Sequence, residues 1–161
     1  MAKAYIGIGS NLGDKQKNIS RAVKLLNKKC KILNKSSLYE TEPIGFKNQY
    51  WFLNCAVGVQ TELSPQKLLS FLKSIENSMG RINFMKNGPR IIDLDIIFYG
   101  NKIINTSNLI IPHPRLHERL FVLRPLKEIY PELVHPIYKK SVKELMEYVK
   151  NKEVVKLHQR A

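Results

Sequence analysis

The sequence is poor in cysteine and in acidic residues, and it contains no long apolar run. Its two cysteines, Cys30 and Cys55, are too few for a disulfide framework or a cysteine-rich metal site. Both fall in strand-like segments, where we expect free buried thiols. No apolar stretch approaches the length that crosses a bilayer, and the first residues do not resemble a secretory leader. These absences argue against a membrane partner and favour a cytoplasmic protein.

The shortage of acidic residues gives the chain a strongly positive charge. Lysine and arginine number 27 against 13 aspartate and glutamate residues, a formal net charge of +14. Such an excess attracts nucleic acid, an anionic membrane or a phosphorylated small molecule. A drift of composition toward lysine explains part of it, because the lysines are spread over predicted helix and loop faces without interleaved aromatic residues. The charge indicates an anionic ligand without identifying it.

The order of the predicted elements indicates the fold class. The length of 161 residues suits one domain, so we treat residues 1–161 as a single unit. Hydrophobic periodicity predicts strands at 4–9, 31–39, 51–60 and 91–98, with helices opened by Asp14 and by Ser64-Pro65. The order β-α-β-β-α-β is typical of an α+β, ferredoxin-like core, a mostly antiparallel sheet with helices packed on it.

The C-terminal third predicts an extension of this core. Tyr99-Gly100-Asn101-Lys102 is typical of a hairpin turn, and a further helix is predicted near 116–123. Ser141 and Glu144 form a capping box that opens a last helix. We therefore expect a C-terminal hairpin and helix extension.

The most informative segment is an apolar run that carries two aspartates, Asp93 and Asp95. Its β-branched and aromatic residues predict a strand, so both aspartates lie on one face. The core-facing positions are then Ile92, Leu94, Ile96 and Phe98. Side chains two apart on a strand are separated by about 6–7 Å, a workable span for two hard cations side by side. The strand predicts Mg²⁺; the alternative is an exposed edge strand that happens to carry two acids, although lysine more often guards such edges.

Two other local patterns are weak when taken singly. Gly7, Gly9 and Gly13 follow a strand, as in a nucleotide-binding loop, but their spacing is not the dinucleotide fingerprint and a tight turn is the simpler interpretation. Arg81 and Arg90 stand at the two ends of a polar loop. They either contact a phosphate or are solvated cations.

Five separated blocks of the sequence together resemble one family. They are AYIGIGSNLG at 4–13, YETEP at 39–43, FLNCAV at 52–57, GPRIIDLDI at 88–96, and IPHPRL at 111–116 with RLFVLRPL at 119–126. The fourth block closely resembles the signature of the 6-hydroxymethyl-7,8-dihydropterin pyrophosphokinases, and the others follow in the order of that family. The resemblance implies transfer of pyrophosphate from ATP to the hydroxymethyl group of a reduced pterin, giving AMP, as a step of folate biosynthesis.

The resemblance also implies roles for particular residues. The substrate hydroxyl would attack the β-phosphorus of ATP, a reaction that needs alignment and charge neutralisation more than covalent help. Asp93 and Asp95 would hold two Mg²⁺ ions, and Asp95 is the better candidate for contact with the attacking hydroxyl. The implied catalytic residues are Asp93, Asp95, Arg81 and Arg90. The implied ATP-binding residues are Glu76, Arg81, Arg90, Ile96, His113 and Arg119, and the positive charges among them suit a polyphosphate.

The pterin pocket is implied in the same way. Its residues map onto Thr41, Pro43, Ile44, Phe52, Asn54 and Phe121. A flat heterocycle favours aromatic faces, which Phe52 or Phe121 could supply, and Asn54 offers both a donor and an acceptor to its edge. Two alternatives stay open. Asn54 could satisfy loop backbone instead, and Arg119 could pair with a nearby glutamate, Glu118 or Glu128.

Two other function classes compete with the enzyme. The basic charge and a ferredoxin-like sheet would suit an RNA-binding module, but paired aspartates on a strand face repel phosphate. A non-catalytic Mg–nucleotide sensor is the second rival, motivated by Asn83 and Asn87, which depart from the family pattern. We expect ATP and the pterin as partners, no nucleic acid, and a monomer.

Overall fold

The computed structural model describes residues 1–43, 48–80, 89–150 and 153–160. Its strands are β1 (Ala2–Ser10), β2 (Lys31–Lys35), β3 (Leu38–Thr41), β4 (Phe52–Thr61), β5 (Asp93–Tyr99), β6 (Ile104–Asn105), β7 (Ile110–Ile111) and β8 (Val155–Gln159). Its helices are α1 (Lys15–Leu26), α2 (Pro65–Ser78), α3 (Leu120–Ile129) and α4 (Val142–Glu147), with a short 3-10 turn at Leu116–Glu118. None of the helices within these ranges is long and apolar enough to cross a membrane.

One antiparallel sheet organises the chain. Its strand order is β5-β1-β4-β3-β8, and β2 pairs with the other end of β4. Strand β1 is therefore hydrogen-bonded on both sides, by β4 and by β5. The predicted mixture of helices with a mostly antiparallel sheet is confirmed, while the narrower ferredoxin-like assignment stays a prediction.

The helices begin where their capping residues are. Asp14 accepts a hydrogen bond from the Lys17 backbone N–H at 3.2 Å, and Ser64 accepts one from Lys67 at 3.3 Å. Ser141 and Glu144 form both bonds of the predicted capping box. These side chains satisfy N–H groups that a helix start otherwise leaves without acceptors, so all three predicted starts are confirmed.

The helices cover both faces of the sheet. On one face α1 and α2 bury a core built from Ile6, Ile8, Ile19, Leu26, Val57, Val59, Leu68, Leu72 and Leu94. On the opposite face α3 and α4 bury a second core that contains Tyr5, Ala56, Ile97, Phe98, Leu123, Leu126 and Val142. The sheet is thus the middle of three layers, and α3 marks the face on which the candidate site lies.

Two strand predictions are corrected by the structure. The single strand predicted at 31–39 is two strands, because Ser36 and Ser37 interrupt it: the Ser37 backbone N–H and hydroxyl donate to Glu128 on α3. In β5 the simple alternation fails after Ile96, where the pairing with β1 shifts register. As a result Phe98 joins Ile97 in the core under α3, instead of sharing a face with Leu94.

The C-terminal extension also differs in detail from the prediction. Gly100 makes a turn with φ of 53°, but Ile104–Asn105 pairs with Ile110–Ile111 and not with β5. The helix predicted near 116–123 is a 3-10 turn followed by α3, which continues to Ile129. Strand β8, which pairs with β3, was not predicted: Val155 and Leu157 alternate with polar residues, but only these two of its five residues are apolar.

Candidate active site

The candidate site is built where three neighbouring strands present different side chains on one face. In the antiparallel register, Gly9 of β1 lies opposite Asp93 of β5 and Asn54 of β4, and Gly7 lies opposite Asp95. The two glycines leave a shallow floor, because they have no side chain to fill the space between the aspartates and the asparagine. The central strand therefore makes room for a ligand.

A cavity opens above this floor. It is lined by Gly9, Thr41, Glu42, Phe52, Asn54, Arg90, Asp93, Asp95, Arg119 and Phe121. Asp93 and Asp95 thus face the same cavity, as the alternation of the strand predicted, and two arginines share it with them. Leu94 between the aspartates is buried in the opposite core. One wall of the cavity presents the aromatic rings of Phe52 and Phe121 and the amide of Asn54, and the other presents the carboxylates of Asp93 and Asp95.

A second hollow adjoins the first at Asp95. It is lined by Leu69, Leu94, Asp95, Ile96, Ser107, Asn108, Leu109, Ile110, His113 and Pro114. Ile96, predicted from the resemblance, therefore lies in a partly apolar hollow beside the acidic wall. The two hollows lie on either side of Asp95, so one extended ligand or two adjacent ligands can reach this carboxylate.

Asn54 is held in place by a second predicted pocket residue. Its amide nitrogen donates to the Thr41 hydroxyl at 2.7 Å. Its amide oxygen lies over Gly9, where a Cβ atom would overlap it. A side chain at position 9 would force the Asn54 amide to move, so glycine here lets Asn54 keep its hydrogen bond to Thr41. Phe52 lies on the same face of β4, while Leu53 and Cys55 point into the opposite core, as predicted.

Arg90 is positioned by Asn11, a residue that sequence reasoning missed. The buried Asn11 side-chain oxygen accepts from the Arg90 backbone N–H at 2.7 Å, and the Asn11 N–H donates to the Arg90 carbonyl at 3.0 Å. The Asn11 amide nitrogen donates to Gln49 at 2.7 Å and to the Tyr50 carbonyl at 3.0 Å. No local pattern marks such a residue, because its partners are distant in sequence.

Arg119 lies over the Phe121 ring, with its guanidinium carbon 5.5 Å from the ring centre. Burial and the neighbouring Arg115 lower the pKa of Arg119, while the Asp95 carboxylate opposes that shift. An arginine remains charged at neutral pH even so. It therefore brings a positive charge and an aromatic ring to the same wall.

The glutamates proposed as alternative partners of Arg119 have other partners. Glu118 forms an ion pair with Arg115 at 3.1 Å. Glu128 accepts hydrogen bonds from Ser37 and Tyr39. Glu118 nevertheless acts on Arg119 through its charge, because it opposes the lowering of the Arg119 pKa together with Asp95 and Glu153. Arg119 also lines the cavity.

His113 differs from expectation in its charge. Burial, together with Arg119 and Arg115, lowers the pKa of His113 to about 4, so the imidazole is neutral at pH 7. The resemblance implied positive charges among the ATP-binding residues, and in the ligand-free protein His113 does not supply one. Its Nδ1 accepts from the Arg115 N–H at 3.2 Å, which places the proton on Nε2. His113 is a neutral hydrogen-bond donor in the lining of the second hollow.

The shifted pKa predicts an acid-sensitive contribution of His113 to stability. The unfolded chain binds a proton near pH 6.5 and the folded chain near pH 4, so the contribution is complete above pH 6.5 and is lost as pH falls toward 4. By pH 4.5 the free energy of unfolding should have fallen by about 2 kcal/mol from this group alone. Urea titrations at a series of pH values give the free energy of unfolding of each protein. Between pH 7 and 4.5 this free energy should fall more steeply for wild type than for His113→Gln. His158→Gln, at an exposed histidine, is the control, and parallel curves for His113→Gln would contradict the assignment.

Glu76 is placed behind the acidic strand. It is 6% exposed, and its carboxylate accepts from the Leu94 backbone N–H at 2.8 Å. This bond ties α2 to β5 between the two aspartates. A contact of Glu76 with nucleotide stays a prediction.

The other predicted site residues are less informative. Pro43 is buried two residues beyond the end of β3. Ile44 and Arg81, with Asn83 and Asn87, lie outside the described residues.

The donor set at the cavity fits Mg²⁺ better than a transition metal. Asp93 and Asp95 offer carboxylate oxygens, the ligands that Mg²⁺ prefers in proteins. Within residues 1–43, 48–80, 89–150 and 153–160, no cluster of three or more histidine, cysteine or acidic side chains is arranged to hold a metal ion. Two carboxylates completed by water and ligand oxygens are the usual environment of Mg²⁺ at phosphate sites.

The chain matches known proteins across most of its length. Residues 5–131 match the family described as 7,8-dihydro-6-hydroxymethylpterin-pyrophosphokinase. The chain belongs to this family. A 2-amino-4-hydroxy-6-hydroxymethyldihydropteridine pyrophosphokinase of Haemophilus influenzae is 38% identical over 160 residues, which cover 98% of this chain and 99% of that protein. The Bacillus subtilis pyrophosphokinase of the same name is 47% identical over 128 residues, 78% of this chain and 77% of that protein.

Some relatives are much longer. A folic acid synthesis protein of Dictyostelium discoideum is 51% identical over 132 residues, 82% of this chain, but the chain spans 20% of its length. A crystal structure of wild-type Plasmodium falciparum HPPK-DHPS aligns with a TM-score of 0.70 at 19% identity, covering 91% of this chain and 44% of that one. This likeness shows that the fold of the pyrophosphokinase family is present here.

Proposed function

We propose that this member of the pyrophosphokinase family transfers pyrophosphate from ATP to the hydroxymethyl group of 6-hydroxymethyl-7,8-dihydropterin in folate biosynthesis. The products are the pterin diphosphate and AMP. The observation that carries the proposal is the shared cavity, in which Asp93 and Asp95 face Asn54 and Phe121 across a glycine floor, beside Arg90 and Arg119. Family membership supports the same activity.

The pterin fits the amide and aromatic side of the cavity. Phe52 and Phe121 offer ring faces to a flat heterocycle, and the Asn54 amide, fixed by Thr41, offers polar atoms to its edge. The hydroxymethyl group would then point toward Asp95. The triphosphate would lie along the acidic and arginine side, with the nucleoside directed to the hollow that contains Ile96.

The protein's own groups align the reaction and neutralise charge. Arg90 and Arg119 bring positive charge to the polyphosphate, and the neutral His113 donates a hydrogen bond without adding charge. The hydroxyl oxygen forms a bond to the β-phosphorus and releases its proton to solvent, while the bond from that phosphorus to the α–β bridging oxygen breaks, so AMP leaves with both electrons of that bond. Asp93 and Asp95 would hold two Mg²⁺ ions, which would supply further charge neutralisation of the triphosphate.

A position-specific label tests the proposal. With ATP labelled at the β-phosphorus, Mg²⁺ and the pterin, we expect label on the pterin and equal amounts of AMP. An ordinary kinase would leave the β-label in ADP, and a nucleotide sensor or RNA-binding module would move no label. A reaction without pterin controls for simple hydrolysis to AMP. Label retained in ADP or in ATP would contradict the proposal.

We propose further that residues 1–161 form one domain that acts as a monomer in the cytoplasm. The single sheet and its two helix-covered cores support one domain, and the use of ATP supports the location. Light scattering after gel filtration would test the monomer, for which an 18.7 kDa species is expected.

A further inference from the structure

Helix α3 begins at the cavity but has no capping side chain of its own. The residue before its first turn is Arg119, whose side chain makes no capping hydrogen bond. The first N–H groups of a helix have no partner within the helix and need an acceptor from elsewhere. Here the Phe121 N–H donates to the Glu153 carboxylate at 3.3 Å, from a residue 32 positions along the chain. The positive end of the helix dipole favours this negative group.

The segment that carries Glu153 is also fixed to the opposite wall of the cavity. The Val154 N–H donates to the Glu42 carboxylate at 2.9 Å, and the Glu42 N–H donates to the Val154 carbonyl at 3.2 Å. Glu42 and Phe121 line the same cavity. Arg124 of α3 donates to the Val155 carbonyl as well. The start of β8 therefore joins the end of β3 to the start of α3.

We propose that Glu153 is a positioning residue that holds the start of α3, and with it the Phe121 ring, in the geometry that receives the pterin. The inference rests on the proposed function, because the pterin is the ligand for which the ring is placed. A glutamate from the C-terminal segment thus completes a wall of the site without lining the cavity.

The expected effect is confined to one substrate. Glu153 contacts the backbone of Phe121, whereas Asp93 and Asp95 belong to β5, on the other side of the glycine floor. Glu153 also opposes the lowering of the Arg119 pKa, but Arg119 stays charged at neutral pH with or without this carboxylate, so its positive charge remains available to ATP. Loss of a helix cap shifts the equilibrium between the ordered and the disordered start of the helix about fivefold toward disorder. We therefore expect Glu153→Ala to raise the KM for the pterin about fivefold, with kcat and the KM for ATP changed less than about twofold.

The test combines kinetics with amide hydrogen exchange. Glu153→Ala should raise the pterin KM and accelerate exchange of the Phe121 amide. Glu153→Gln, which keeps an acceptor oxygen, should restore much of both. Glu147→Ala removes an exposed glutamate of α4 and should change neither. A merely structural role would lower the melting temperature of Glu153→Ala without a selective change in the pterin KM.

The outcomes separate this inference from the proposed function. An active wild type with an unchanged pterin KM in Glu153→Ala overturns the positioning role, whatever the exchange rate. Equal rises in the KM values for ATP and pterin also overturn it. If wild type forms no AMP, the proposed function is wrong. In that case, unchanged exchange of the Phe121 amide in Glu153→Ala would show that Glu153 does not cap α3. Faster exchange would show that Glu153 caps α3 as a structural contact, without a role in pterin binding.

Discussion

Asp95→Ala should abolish AMP formation while leaving the fold intact. The side chain is exposed and faces the cavity, so its removal opens no void in either core. It takes away one of two carboxylates proposed to hold divalent ions at the triphosphate. We expect turnover to fall on the order of a thousandfold, about 4 kcal/mol in the activation barrier. AMP formation at saturating substrates measures this, and thermal unfolding measures the fold.

Asp14→Ala is the matched control for this experiment. Asp14 caps α1, so its loss should lower the free energy of unfolding by about 1 kcal/mol and leave turnover near the wild-type value. The two variants should thus show opposite patterns, one losing activity and the other stability. Near-normal AMP production by Asp95→Ala would refute the role given to this carboxylate.

Asn54→Ala should weaken binding of the pterin selectively. The variant removes the amide that faces the cavity and leaves the Thr41 hydroxyl without its donor. A polar edge of the pterin that is buried without this partner costs about 1–3 kcal/mol on binding, so we expect the dissociation constant for the pterin to rise by about one to two orders of magnitude. Binding of an ATP analogue should be unchanged. Isothermal titration with each ligand separately gives both values.

A second asparagine offers a control in the same structural context. The Asn34 side chain lies over Gly58 of the neighbouring strand, much as Asn54 lies over Gly9, but it is exposed and does not line the cavity. Asn34→Ala should leave the affinity for both ligands unchanged. An Asn54→Ala variant with wild-type pterin affinity would remove this residue from the proposed pocket.

Short-range patterns account for much of what was predicted. The caps at Asp14, Ser64 and Ser141 depend on residues three positions apart, so the helix starts follow from local sequence. The alternation in β5 likewise places Asp93 and Asp95 on one face. Such features need no knowledge of distant contacts.

Features set by distant contacts escaped prediction. The register shift that turns Phe98 toward α3 depends on pairing with β1, and the break at Ser37 depends on Glu128. Asn11 and Glu153 act through backbone atoms of residues far along the chain. The neutral state of His113 results from burial, which its sequence neighbours do not reveal. Tertiary packing, and not local propensity, decides each of these.

The most direct test of the account counts divalent ions at the paired aspartates. Manganese can replace magnesium and is visible by electron paramagnetic resonance, and α,β-methylene ATP, whose α–β bridge cannot be cleaved, holds the complex before reaction. Titration of the protein with Mn²⁺ in the presence of this analogue and the pterin should give two bound ions per wild-type chain and fewer in Asp95→Ala. The same number of ions in both proteins would contradict the claim that this strand holds the metals.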